Sequence, residues 1–222
     1  HAMNFIQNFP IFQSLKEHEL AKLESFIEFH TKPKYSFLFL ADEPSSHIYF
    51  LVKGLVKTGT HSGDGREIIK EIHHPNSIFG ELCLANETHR IEFARALNEK
   101  VQYFTISKDN FKFLMRINPL LSEYVLNMIG ERLQKTDARL ESLIFKDARA
   151  RIIEFLKYSA LKTGRRVGFE LLLKHCLTQQ DIANITGTSR QTVTSVLNDL
   201  KRENLIHFNR RTILIRDVEN LE

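Results

Sequence analysis

A chain of 222 residues can hold one large domain or two modest ones, and 42% hydrophobic with 26% charged residues is a composition for packed cores rather than disorder. The two cysteines, Cys83 and Cys176, sit too far apart for a metal-binding spacing or a disulfide framework, and no apolar run approaches the ~20 residues that cross a bilayer; with no signal peptide evident, a reducing, cytoplasmic location with no membrane partner is expected. The net charge of +4 is unevenly spread: from Ala148 onward there are 13 basic and 8 acidic residues, against 18 basic and 19 acidic before it, so the C-terminal third is the part suited to a polyanion.

His1 and Ala2 precede Met3 and are set aside. From Asn8 to His30 the apolar residues Phe12, Leu15, Leu20, Leu23 and Ile27 have the irregular spacing of short helical turns. From Lys34 to Ile106 short runs rich in β-branched and aromatic residues (Phe37–Leu40, Ile48–Val52, Ile68–Ile72, Val101–Ile106) alternate with turn residues, among them the hairpin signal Asp64-Gly65. Such spacing predicts a jelly-roll barrel, a double-stranded β-helix. Ser107 opens a helical stretch that Asn118-Pro119 interrupts once. Beyond Pro119, Leu126, Ile129, Leu133, Thr136, Leu140 and Leu143 recur in steps of three and four, flanked by Glu131, Arg132, Lys135 and Arg139. This seam is long enough to pair two copies of the helix in a homodimer; the alternative is that it packs on the chain's own barrel. Asp147 can cap a further helix to about Lys162. The fold class is therefore α+β, in three parts: a β-roll over 3–118, a dimerisation helix and hinge over 119–146, and a second domain over 147–222.

The stretch from Leu177 to Ile215 carries the most information. Thr178 can cap one helix, with Asp181 completing a capping box; Gly187 can end it at positive φ; Ser189 can cap the next. In that second helix Val193, Val196, Leu197 and Leu200 mark an inward face, while Arg190, Gln191, Thr194, Ser195 and Asn198 form a polar stripe opposite. Two β-prone runs around Asn209-Arg210-Arg211 then make a basic hairpin. Cap, turn, polar helix and hairpin together are the layout of a winged helix-turn-helix, whose second helix reads base edges while other groups seat on phosphate. The candidate DNA-binding residues are Thr178, Gln179, Ser189, Arg190, Gln191, Thr192, Thr194, Ser195, Asn198, Lys201, Arg210 and Arg211. An ordinary amphipathic helix would explain the stripe alone, but not the turn, caps and wing beside it.

With these residues placed, the chain resembles the family of the cyclic-AMP receptor protein and the fumarate–nitrate reduction regulator (Crp/Fnr) from about Phe9 to Ile215. The carriers are Ile48-Tyr-Phe-Leu-Val-Lys-Gly54, Ile78-Phe-Gly-Glu-Leu-Cys-Leu84, Arg132-Leu-Gln-Lys-Thr136, Phe145-Lys-Asp147 and Thr188-Ser-Arg-Gln-Thr-Val193. The resemblance implies a cyclic-nucleotide-binding-like roll that takes an effector, a long dimer helix, a hinge and a DNA reader. It also implies a transcription regulator whose partners are double-stranded DNA with a palindromic operator, a second copy of the chain and RNA polymerase. In the reader, Gln191 stands where cyclic-AMP-type members have glutamate and Ser195 where they have arginine, so a different half-site is implied; glutamine favours adenine.

Carried over residue by residue, the effector pocket would comprise Gly80, Glu81, Leu82, Cys83, Arg90, Ile91, Glu92, Thr136 and Asp137. Gly80-Glu81-Leu82 and Arg90 match the nucleotide-binding pattern. Ile91, however, has no hydroxyl to donate, Glu92 would set a negative charge beside a phosphate, and Asp137 stands where serine is usual. An effector pocket of non-standard kind, not one for cyclic AMP, is the expectation; a regulator that does depend on a cyclic nucleotide is the alternative. Two distant cysteines cannot supply the ~4 thiolates of an iron–sulfur cluster. None of His18, His30, His47, His61, His73, His74 and His89 has a context that marks a haem ligand. The effector is thus unassigned and no metal site is expected. A cupin-like metalloenzyme would need clustered ligands, whereas the adjacent His73 and His74 point to opposite faces of a strand; no enzyme is expected.

Overall fold

A computed structural model describes residues 2–175 and 177–222. Cys176, one of the two cysteines, lies outside the described residues. The chain forms two compact units: His1–Asp64 with Lys70–Lys135, and Gly65–Ile69 with Thr136–Glu222.

The first unit opens with helix α1 (Ala2–Ile6), a 3-10 turn (Pro10–Phe12) and α2 (Glu17–Phe26). The strands β1 (Glu28–Lys32), β2 (Phe37–Phe39), β3 (His47–Lys53), β4 (Val56–His61), β5 (Glu67–His73), β6 (Ile78–Phe79), β7 (Phe93–Ala96) and β8 (Val101–Ser107) follow. They form two four-stranded sheets, β1-β8-β3-β6 and β2-β7-β4-β5, the two layers of the expected jelly roll. Helix α3 (Lys108–Ile117) starts at Ser107, whose hydroxyl accepts from the Asn110 amide at 3.2 Å.

Within the β1-β8-β3-β6 sheet, β3 and β8 are buried on both faces, and strand periodicity explains how. On β3, Ile48 and Phe50 face one way and Tyr49 and Leu51 the other; on β8, Phe104 and Ile106 oppose Val101 and Tyr103. The first set packs beneath the helices with Phe9, Phe12, Leu23 and Phe111. The second fills the roll with Phe39, Val56, Phe79 and Ala94. Phe50 and Phe104 stack at 4.8 Å, and Phe9 meets both edge-on at 5.5 and 5.4 Å.

Helix α4 (Pro119–Phe145) begins where a proline costs no hydrogen bond, and the Asn118 side-chain oxygen accepts from the Leu120 amide at 3.1 Å. Leu121, Val125 and, in part, Ile129 pack into the core under the helices. The predicted seam is thus divided. Ile129 turns to the chain's own roll, whereas Leu126 (71% exposed), Leu133 and Leu140 stand in solvent, continued by Ile144 and Phe145 (81% exposed).

In the second unit, Asp147 caps α5 (Ala148–Thr163), accepting from the Ala150 amide at 2.8 Å. Then come β9 (Arg165–Val167), β10 (Glu170–Lys174), α6 (Gln179–Thr186), α7 (Arg190–Arg202), β11 (Ile206–Phe208) and β12 (Thr212–Ile215). The strands pair as β11-β12-β10-β9, so the wing belongs to a four-stranded sheet rather than a lone hairpin. Strands β9 and β10 had no sequence forecast. The three residues of β9 are all exposed and show no alternation to read. Ile152, Leu156, Leu171, Ile182, Val193, Leu197, Ile206 and Ile213 draw α5, β10, α6, α7, β11 and β12 into one core, with β9 at the exposed edge.

Candidate nucleic-acid interface and effector pocket

Helix α6 starts on a reciprocal cap: the Thr178 hydroxyl accepts from the Asp181 amide at 3.0 Å, and the Asp181 carboxylate accepts from the Thr178 amide at 3.1 Å. Gly187 ends it at φ 74°, its amide donating to the Ala183 carbonyl at 2.9 Å. Any Cβ there would take a strained backbone and sit 3.0 Å from the Leu143 methyl. The turn is then clasped by Arg151, which the sequence reading missed. Its guanidinium donates to the carbonyls of Thr186 (2.8 Å), Gly187 (3.2 Å) and Lys146 (2.7 Å). Nothing in the local sequence marks it, because all three acceptors are backbone.

Ser189 caps α7 by accepting from the Thr192 amide at 3.1 Å, and Val193, Val196, Leu197 and Leu200 are buried as predicted. The structure sorts the twelve candidate residues into two groups. Thr178 and Ser189 spend their hydroxyls on caps, Thr192 lies against Ser189 at 2.9 Å, and Thr194 hydrogen-bonds Gln179, tying α7 to the start of α6. Arg190, Gln191, Ser195 and Asn198 remain as an exposed ridge. From Arg190 to Asn198 the ridge runs ~12 Å at ~1.5 Å per residue, about the width of a B-DNA major groove. Lys201 is also exposed, with its ammonium 5.5 Å from the Phe208 ring centre on the wing. Arg210 and Arg211 are exposed at the wing tip, whose turn is ordered by Asn209: its side-chain oxygen accepts from the amides of Arg211 (3.1 Å) and Thr212 (3.0 Å). Arg190, Arg210 and Arg211 have no acidic partner among the described residues.

The pocket residues divide as well. Gly80 at φ 74° leads β6 into a 3-10 turn (Glu81–Ala85), and there Glu81 is buried. Arg132 of α4 donates to Glu81 at 3.1 Å and to Glu92 at 2.9 Å. The second oxygen of Glu92 is buried without a hydrogen bond, 3.8 Å from the Lys70 ammonium. Burial pushes the Glu81 carboxyl up, and Arg132 pulls it back. A cavity of about 180 Å³ opens beside this cluster, lined by Glu71, Ser77, Glu81, Tyr124, Arg132 and Lys135 among others. Lys135 faces Glu71 at 3.6 Å.

Arg90 is elsewhere. It is buried, donating to the carbonyls of Gly80 (2.9 Å) and His47 (2.5 Å), and its guanidinium carbon lies 4.3 Å from the Phe39 ring centre. Leu82 is half-buried, and Cys83 is in the core under the helices, where burial pushes its thiol up to about 11, an unreactive state. Of the predicted pocket residues only Glu81 lines the cavity; Ile91, Thr136 and Asp137 are exposed away from it, and Glu92 is buried against Arg132 without being part of the lining. Arg132, read from the sequence only as a flank of the seam and a carrier of the resemblance, is the residue the pocket is built on. Its two partners are 51 and 40 positions away, beyond any local signal.

A Crp-like helix-turn-helix domain matches residues 150–222 and a cyclic nucleotide-binding domain matches residues 30–118. The chain is 31% identical over 211 residues, 95% of its length and 94% of the relative's, to a CRP-like cAMP-activated global transcriptional regulator of Mycobacterium tuberculosis. It is 27% identical to the cyclic AMP receptor protein of Thermus thermophilus, across 96% of this chain and 95% of that one. Among solved structures, a CooA variant from Carboxydothermus hydrogenoformans superposes with a TM-score of 0.80 at 26% identity, covering 96% and 94% of the two chains. Taken with the roll, the long helix and the winged reader, these matches place the chain in the Crp/Fnr family of DNA-binding transcriptional regulators.

Proposed function

We propose that the protein acts in the cytoplasm as a homodimer that recognises a palindromic operator and works with RNA polymerase, and that its pocket does not take cyclic AMP. The observation that carries the DNA-reading part is the ridge of Arg190, Gln191, Ser195 and Asn198, bare of partners that would occupy it and set in one unit with the unpaired cations of the wing. Arg190 and Gln191 have the donors and acceptors for guanine and adenine edges; Arg210, Arg211 and Lys201 seat on phosphate. The exposed stripe of Leu126, Leu133 and Leu140 supports a second copy along α4, giving the two readers a palindrome requires. In this reading 3–118 senses, 119–146 pairs and hinges, and 147–222 reads.

The test is selection of duplexes from a random library, followed by binding of the enriched sequence across a range of salt. A palindromic consensus, bound by a dimer in sedimentation, is expected; a strictly monomeric protein, or one that enriches no sequence, overturns the proposal. A second reading, dependence on a cyclic nucleotide, is favoured by the relatives described as cAMP-activated. It is opposed by the engagement of Arg90 with the roll's own backbone and of Arg132 with two carboxylates.

A further inference from the structure

We infer that Glu92 is Arg132's built-in counter-anion: from beside the cavity its carboxylate takes the guanidinium edge an anionic ligand would need, closing the pocket to phosphate-bearing ligands. The inference rests on reading the cavity as the effector site and specifies what that site excludes. Arg132 lines the cavity and is the cation an incoming anion would meet. Both of its terminal nitrogens are already engaged, one by Glu81 at 3.1 Å and one by Glu92 at 2.9 Å. Two exposed lysines nearby each face a glutamate more loosely, Lys70 with Glu92 at 3.8 Å and Lys135 with Glu71 at 3.6 Å. Arg90, the remaining candidate, serves the carbonyls of Gly80 and His47.

An entering phosphate would have to evict Glu92, whose side chain is only 7% exposed. The displaced carboxylate would then lie buried beside the ligand with only the exposed Lys70 ammonium near it, an arrangement that desolvation and like-charge repulsion both oppose. Glu92 is held through one oxygen alone, which accepts from Arg132 at 2.9 Å, while its second oxygen makes no hydrogen bond. The neighbouring Ile91 points an exposed alkyl chain outward and offers no donor. The consequence is constructive as well as exclusive. The tie between α4 and the roll, for which other chains could use a bound anion, is made here by two glutamates of the chain itself.

Glu92→Ala vacates the position while leaving Arg132 in place. With cyclic AMP and inorganic pyrophosphate as probes, calorimetry at low ionic strength should give binding to Glu92→Ala at least ~10-fold tighter than to the natural chain. The probes should also raise the variant's Tm, and the gain should vanish in the double variant Glu92→Ala/Arg132→Ala. Glu92→Gln, which keeps the volume and removes the charge, serves if the alanine variant does not fold. Equal affinity of the natural chain and both variants for either probe, or no gain in any variant, overturns the inference. Operator binding by the ligand-free natural chain reports on the DNA reading alone, so the two can fail separately.

Discussion

The reader and the pocket handle positive charge in opposite ways. On the reader, Arg190, Arg210 and Arg211 stand in solvent, without carboxylate partners among the described residues. Beside the pocket, the largely buried Arg132 is held between two glutamates, while the exposed Lys70 and Lys135 face one each. An exposed cation gains little from a surface ion pair and keeps its full attraction for a polyanion, so leaving it free is cheap and useful. A buried cation has lost its water and needs a permanent counter-charge. The contrast says which part of the molecule is open to anions and which is already filled.

The largest effect should come from breaking the filled side. Arg132→Ala strands the buried Glu81 and Glu92 side by side; removing one partner of a buried pair costs about 3–5 kcal/mol. A drop of that size in chemical denaturation at neutral pH is expected. A variant as stable as the natural chain would mean the cluster is loosely solvated.

Next is His73, inside the roll, where its ring bonds the Thr58 hydroxyl at 2.9 Å and stacks on Phe79 at 4.8 Å. Burial pushes it from 6.5 down to about 4, with Arg132, His74 and Lys135 adding to the fall and Glu71 opposing it. A base depressed on folding favours the native state fully above its unfolded value. Stability should therefore fall as pH drops from about 6.5 to about 4, by up to about 3 kcal/mol from this residue. The difference in stability between the natural chain and His73→Gln, followed over that window, should carry the slope; parallel curves would show the histidine is not kept neutral.

On the open side, Arg190→Ala should cost about 1–3 kcal/mol on the selected operator and far less on random duplex, compressing the ratio between them. Equal loss on both would remove Arg190 from base readout and leave it a phosphate contact.

The same contrast explains what could be read from the sequence. The reader is built from local signals: Thr178 with Asp181, Gly187, Ser189 and the four-residue spacing of α7 all act within a few positions, and each appears where the spacing put it. The strands with alternating apolar runs were legible for the same reason, whereas exposed β9 and its partner β10 were not. The pocket's central contacts join residues far apart in the chain, Arg132 with Glu81 at 51 positions and with Glu92 at 40, so its matching motif, Gly80-Glu81-Leu82 with Arg90, told roughly where it lies but not how it is wired. Arg90 has the side chain for a phosphate, yet here it braces the Gly80 turn, and only coordinates reveal that choice. The α4 seam lies between these cases. Its period was plain, but which leucines face outward depended on the core that takes Ile129.

The smallest effect sharpens the open side further. Lys201 lies one turn beyond the exposed ridge, its ammonium near the Phe208 ring, where it can touch a phosphate while reading no base. Lys201→Ala should weaken operator and random duplex alike, by about 1 kcal/mol or less per subunit, and lower the slope of log affinity against log salt by about 1 per subunit, about 2 for the dimer. The slope is the deciding quantity. A lost phosphate contact releases one fewer counterion per subunit whatever the sequence, whereas loss of packing against Phe208 would lower affinity and leave the slope unchanged. A sequence-dependent loss with an unaltered slope would instead move Lys201 into the group that reads bases, and the ridge would then extend one turn further along α7 than the exposed polar stripe suggests.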